Sequence, residues 1–238
     1  MTGLPSERRA WPAVLGAMLC LTGCGAIPAA SYGEQLFNDP RFAGSQFNVW
    51  SCATCHATRA GDPRILPGAS LTNVVNRPSY FGGRQPRLID AASFCYVYFM
   101  RGAGPLQPDE PRSKALYEYL DSLSTTAAAP ALPMTIVLTT EDVARGDTTR
   151  GEAVYRNACQ GCHGAKSSGQ GQNSKLASLL PNVAADYPQV FPGIAPGLVF
   201  IEKVRHGQFF EVGGNMPFFS RESISDADLG ALLSYLGQ

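Results

Sequence analysis

Apolar positions along the 238-residue chain gather into a few helix-like stretches, separated by polar segments rich in glycine and proline. Two stretches carry one pattern, Gly33-Glu34-Gln35-Leu36-Phe37 and Gly151-Glu152-Ala153-Val154-Tyr155. Two more carry another, Ala115-Leu116-Tyr117-Glu118-Tyr119-Leu120 and Ala231-Leu232-Leu233-Ser234-Tyr235-Leu236, and predict a similar helix at the end of each half. The first of these helices is expected to start near Asp109-Glu110-Pro111. The second is expected to start at Ser225, an N-cap candidate with acids in the following turn. Leu88, Ile89, Ala92, Phe94, Cys95, Phe99 and Met100 suit a buried helix between them.

The segment between the halves, STTAAAPALPMTIVLTTED, has no charge before Glu141 and predicts a linker over 125–144, stiffened by Pro130 and Pro133. Its Ile136-Val137-Leu138 is apolar enough to pack against a neighbour, and Met134 is a conceivable remote metal ligand as well as an ordinary linker residue. At the N-terminus, Arg8 and Arg9 precede an apolar run from Trp11 to Leu21. Eleven residues are too few to span a bilayer, which takes about 20, and suit an export signal. Leu21-Thr22-Gly23-Cys24 resembles the lipobox of bacterial lipoproteins. That resemblance implies a signal peptide over 1–23, removed before a lipidated Cys24, and a mature protein anchored on the periplasmic side of a membrane. The alternative is a plain secretory signal. In either case spare thiols meet an oxidising compartment.

Cys52-Ala53-Thr54-Cys55-His56 and Cys159-Gln160-Gly161-Cys162-His163 change the picture most. In C-x-x-C-H, two cysteines about one helical turn apart reach the two vinyl groups of one haem, and the adjacent histidine turns its imidazole to the iron. A zinc site wants four nitrogen or sulfur ligands, and each motif offers three that do not readily converge on one ion. A thioredoxin-like redox pair wants a βαβ setting, and neither motif has strand-rich surroundings. The spacing therefore predicts two covalently bound haem c groups. Nineteen residues separate Gly33 from Cys52 and eight separate Gly151 from Cys159, so the first unit carries an insertion before its motif. Each unit is small for a stable core, and a buried haem would act as a staple. The 19 basic and 19 acidic residues balance, which gives no footprint for nucleic acid.

This layout resembles the cytochrome c family twice over, across residues 32–124 and 145–238. The resemblance implies an all-α fold of two tandem cytochrome c-like domains, 24–124 and 145–238. In each, a helix precedes the motif and a C-terminal helix packs against it. Gly213-Gly214-Asn215-Met216-Pro217 is similar to the loop that presents the distal methionine in this family, which implies Met216 as partner of His163 at the second haem. His206, at what reads as a helix end in VRHGQ, is the rival and is expected to lie at the surface.

The first haem takes His56, and no Met-Pro follows it before the linker. Counting back from the terminal helices equates Met100 with Met216, since each lies 19 residues before its tyrosine (Tyr119, Tyr235). Counting forward from the motifs instead equates Arg101-Gly102 with His206-Gly207. A cysteine census favours Cys95: Cys20 leaves with the signal, Cys24 is lipidated, four cysteines hold haem, and Cys95 has no partner left. Met100 is the alternative, and both as plain core residues is a third reading. The stretch 88–102, with Cys95, Met100 and Gly102, also resembles thiosulfate dehydrogenases and related sulfur-oxidation cytochromes, in which such a cysteine ligates the catalytic haem. From Pro40 to Arg101 seven arginines stand against Asp62 and Asp90. They suit haem propionates, or an anion held by Arg84, Arg87 and Arg101.

The function expected is electron transfer between redox proteins such as other cytochromes, an oxidase or a reductase. The alternative is oxidation or reduction of a small sulfur oxyanion at a Cys95-ligated haem. A di-haem peroxidase would need a five-coordinate haem, and no residue singles it out.

Overall fold

The computed structural model describes residues 28–173, 175, 177–182, 187–207 and 216–238. Cys24 and the predicted signal peptide lie outside these residues. Among the described residues the only strand-like pairing is an isolated bridge between Tyr80 and Gln85, and all other regular structure is helical. The N-terminal half has α1 (Ala29–Asn38), a 3-10 turn (Pro40–Ala43), the one-turn α2 (Cys52–Cys55), α3 (Leu88–Phe94) running into a π-helical turn (Cys95–Phe99), and α4 (Pro111–Ser122). In the C-terminal half α5 (Thr148–Val154) runs into a π-helical turn (Tyr155–Cys159). The one-turn α6 (Gln160–His163), short α7 (Tyr187–Val190), α8 (Pro196–His206) and α9 (Asp226–Leu236) follow.

The helix starts follow local chemistry. Glu110 stands at the N-cap position of α4 without a side-chain capping bond, and Pro111 takes the first helical position, where the missing N–H costs nothing. Ser225 Oγ accepts the Asp228 N–H at 3.0 Å to cap α9, and Asp226 and Asp228 sit where the helix dipole favours negative charge. Asp147 accepts the Arg150 N–H at 2.8 Å and caps α5.

Each half is organised by the same crossing. α1 packs on α4, and α5 packs on α9. The helices touch backbone to backbone because a glycine lies at the contact. A Cβ on Gly33 would fall 1.9 Å from the Ala115 carbonyl oxygen, and one on Gly151 would fall 2.0 Å from that of Ala231. One aromatic pair flanks each crossing: Phe37 and Tyr119 have ring centroids 5.4 Å apart, Tyr155 and Tyr235 5.5 Å. Around each lies its own apolar cluster, with Leu36, Phe37, Leu116 and Leu120 in the first and Val154, Tyr155, Leu229 and Leu232 in the second.

The segment 125–144 has no regular secondary structure, yet it is pinned along its length. The N–H groups of Thr125 and Thr126 donate to Asn73 Oδ1 at 2.6 and 3.2 Å, and Asn76 Nδ2 donates to the Thr126 carbonyl at 2.7 Å. Further on, Thr135 donates to Glu222 from its N–H (2.9 Å) and from its hydroxyl (2.6 Å). The Val137 carbonyl accepts from His206 Nε2, and Thr140 Oγ1 donates to Glu202. The linker is thus a strap fastened to both halves. This corrects the expectation for His206: it is 5% exposed, covered by the strap, with Nδ1 2.8 Å from Glu202 Oε2.

Two outcomes follow from these contacts. Gly151→Val forces a branched side chain into the backbone of α9 and should lower stability by about 3 kcal/mol, read by denaturant unfolding. At Glu222 burial pushes the carboxyl up, but the donors from Thr135 and Ser220 outweigh it and hold the group at about 2, below its ordinary 4.5. A depressed carboxyl stabilises the fold above its ordinary value and loses that contribution as the pH falls through the lower one. Amide-exchange protection at Thr135, corrected for intrinsic rates, should therefore drop between about pH 4.5 and about pH 2. Glu222→Gln should show the same loss at neutral pH.

Candidate metal centre

The first C-x-x-C forms the single turn α2, and the second spans the junction of the π-helical turn, which ends at Cys159, with α6, which holds Cys162 and His163. In α2, Ser51 N–H donates to Thr54 Oγ1 at 3.1 Å, and His56 N–H closes the turn on the Cys52 carbonyl at 2.9 Å. Cysteines three residues apart on one helical turn face the same side. Cys52, Cys55 and His56 all line one cavity of about 380 Å³. Its walls are mostly apolar, with Phe37, Phe42, Leu71, Leu88, Leu116 and Leu120 among them.

The imidazoles repeat one arrangement. His56 Nδ1 lies 2.8 Å from the Ala69 carbonyl oxygen, and His163 Nδ1 lies 2.8 Å from that of Ser178. A carbonyl only accepts, so each Nδ1 carries the proton and each Nε2 keeps its lone pair for a metal. Burial lowers the pKa of both rings, against the raising effect of their carbonyl partners; Arg77 adds to the lowering at His56 and Lys203 at His163. Both therefore stand neutral, as ligation requires. Gly68 makes the first arrangement possible: a Cβ there would fall 2.2 Å from His56 Cε1. Its N–H is tied to the Cys55 carbonyl at 3.0 Å, so the loop is fixed against the motif.

Cys159 is buried, and Cys52, Cys55, Cys95 and Cys162 are half-buried. Burial pushes Cys52, Cys95 and Cys159 up to about 12, and raises Cys55 and Cys162 as well. Neighbouring cysteines add to the rise at Cys55, with Cys95 and Cys162 among them. No disulfide joins them.

Both candidates for the sixth position at His56 line its cavity. Cys95 opens the π-helical turn, half-buried, and Met100 closes it at 4% exposure, its N–H donating to the Cys95 carbonyl at 3.2 Å. The three arginines expected at an anion site are elsewhere. Arg84, Arg87 and Arg101 are exposed and line no part of this cavity. Arg87 is paired with Asp90 at 2.6 Å, Arg84 donates to the Phe81 carbonyl at 3.1 Å, and Arg101 ends the turn with φ 61°. Arg77 is the guanidinium in the cavity wall, and it donates to the carbonyls of Ser70 (2.7 Å) and Thr72 (2.8 Å). Met216 is half-buried against the C-terminal cluster. The chain leaving it is held to α8 by buried Arg205, which donates to the carbonyls of Phe219 (3.1 Å) and Ile224 (2.7 Å). Gly213, Gly214 and Asn215 lie outside the described residues.

Two contributors were not read from the sequence. Trp50 lines the cavity with its indole N–H buried and without an acceptor among protein groups. Its place two residues before Cys52 was the available signal. The other is the far wall, made by Pro217, Phe218, Ser220, Glu222 and Ser223 of the C-terminal half together with Leu132 and Pro133 of the strap; Met134, which the sequence offered as a conceivable remote ligand, stands in the same wall.

These residues fit a haem. Two thiols and a neutral imidazole share the wall of an apolar cavity, and an orphaned buried N–H waits for an acceptor that a ligand would bring.

Residues 146–236 match the family described as cytochrome C oxidase, cbb3-type, subunit III. That match indicates a cytochrome c domain in this stretch, and such a domain implies covalently bound haem c and electron transfer. No curated protein matches the chain in sequence. Among solved structures the chain is similar to thiosulfate dehydrogenase (TsdBA) from Marichromatium purpuratum in its as-isolated form. The identity is 19% and the TM-score 0.42, over 87% of this chain and 45% of that one, so the chain spans less than half of that structure's length. The described residues are helical with no strand, consistent with an all-α cytochrome c fold, and the family match covers residues 146–236 of the chain.

The Gly68 contact gives a direct test. Gly68→Ala should push the His56 ring off the Ala69 carbonyl, cost about 1–3 kcal/mol, and perturb the low-spin absorption of the haem-loaded protein. Gly104→Ala, where open space surrounds the position, should leave the spectrum unchanged.

Proposed function

We propose that the chain is an exported, membrane-anchored di-haem cytochrome c that passes electrons between redox proteins. One haem c is bonded to Cys52 and Cys55 with His56 as ligand, and the other to Cys159 and Cys162 with His163 and Met216. The observation that carries this reading is the duplicated imidazole arrangement: Nδ1 2.8 Å from a backbone carbonyl, in both halves, directly after a C-x-x-C turn. Bound haem supplies a one-electron carrier. The polypeptide excludes water from it with apolar walls, fixes each imidazole through Ala69 or Ser178, and tunes each site through the remaining ligand.

At the first site that ligand is Cys95, with Met100 as the alternative. Ligation requires Cys95 Sγ to give up a proton that burial otherwise holds to about pH 12. A thiolate lowers the potential of its site, and a thioether raises it. The two haems are then unequal, and electrons run downhill from the Cys95 site to the Met216 site. Domain boundaries at 24–124 and 145–238, cleavage before Cys24, lipidation of that residue and a periplasmic location complete the reading, on the sequence patterns given above.

The second reading is an oxidoreductase of a small sulfur oxyanion at the Cys95 site. Its support is that Cys95 and His56 face one cavity, with Arg77 in the same wall. Arg84, Arg87 and Arg101 stand outside that cavity and contribute nothing to an anion bound inside it.

Spectroelectrochemical titration of the loaded protein should give two waves. Cys95→Ala should raise the lower one and remove the thiolate signature of the ferric protein, and Met100→Ala should leave that signature intact. One wave, or a thiolate signature insensitive to Cys95→Ala, would sink the ligand assignment. Absence of turnover with thiosulfate or tetrathionate and an artificial electron partner removes the second reading.

A further inference from the structure

The halves do more than share a chain: the C-terminal half walls the first cavity, and each half sends a residue into the other's apolar cluster. Loop 65–68 sits between them. Gly68 abuts the His56 ring on one side. On the other, Ile65 N–H donates to the Asn157 carbonyl at 3.0 Å, two residues before Cys159, and the Ile65 side chain packs into the C-terminal cluster. Ser223 Oγ donates to the Pro67 carbonyl at 3.4 Å. In the opposite direction, Cys162 packs against the N-terminal cluster. Phe218 reaches the wall of the first cavity, its ring centroid 6.4 Å from that of Phe99. Phe218 also lies two residues after Met216. The contact therefore carries Ile65, from the loop that abuts His56, into the C-terminal cluster, and Phe218, from the segment that follows Met216, into the wall of the first cavity.

We propose that Ile65 and Phe218 are positioning residues that clasp the two attachment motifs side by side, so that the two haems act as one electronically coupled pair. This rests on the di-haem reading. Clasped this way, the pair exchanges electrons within the molecule, and each redox event is felt at the neighbouring site because little water intervenes to screen it. Two independent carriers on a flexible tether would show neither property. Residues that hold a site from behind act through its geometry, so their removal should move coupling without removing haem.

The test uses full-length, haem-loaded protein. A pyridine haemochrome assay counts haem per chain, and circular dichroism in the Soret region reports coupling, since two nearby porphyrins give a band of two opposite lobes. Two haems with such a couplet are expected. Ile65→Ala and Phe218→Ala should each reduce its amplitude by about half, with haem count unchanged and Ile65→Val and Phe218→Leu restoring it. Two haems with a single-signed Soret band would overturn the clasp and leave the di-haem reading standing. One haem per chain would overturn both. A couplet that survives both alanine substitutions would overturn the positioning role. If an alanine variant fails to load haem, the milder Ile65→Thr and Phe218→Val decide: with two haems loaded, a reduced couplet supports the clasp, and a couplet unchanged in both would overturn it.

Discussion

An imidazole with one nitrogen committed to a backbone carbonyl has one nitrogen left, and its lone pair is free to ligate a metal. That constraint organises this protein. His56 and His163 both meet it, through Ala69 and Ser178, and burial keeps both rings neutral. The carbonyl is presented by the loop after the motif, so the loop must run close to the ring; at His56 only a glycine, Gly68, leaves the room. The motif must in turn be held against a frame, and the α1–α4 and α5–α9 crossings provide it.

The same economy of space explains why the frame repeats. Gly33 and Gly151 let two helices meet at backbone distance, and Phe37–Tyr119 and Tyr155–Tyr235 fill the flanks. A helix pair this close needs little side-chain volume between its members. Small halves can then give their apolar side chains to a ligand cavity instead of to a core of their own. The cost is that the N-terminal half leaves a wall of its cavity open, which the strap and Phe218 close from outside.

Short-range features were legible in the sequence. The paired Gly-Glu-x-x-aromatic stretches, the start of α4 at Glu110-Pro111 and the Ser225 cap of α9 all depend on residues within a turn of one another, and the structure has them where the pattern put them. What depends on distant partners was not legible. His206 reads as an exposed helix end until the Val137 carbonyl is laid over it. The arginine excess looked like an anion site, but Arg41, Arg64 and Arg87 are engaged by Asp39, Asp62 and Asp90 close by in sequence, and Arg77 reaches the cavity because its loop folds back on Ser70 and Thr72. The choice between Cys95 and Met100 stayed open because the π-helical turn brings both to the same cavity.

The central claim is that each half carries its own covalently attached haem. Intact mass of the denatured, haem-loaded protein tests it most directly. The account predicts a wild-type chain heavier by two haems, and a chain heavier by one when either Cys52 and Cys55 or Cys159 and Cys162 are replaced by alanine. A wild-type chain carrying a single haem, or a mass unchanged by either pair of substitutions, would contradict it.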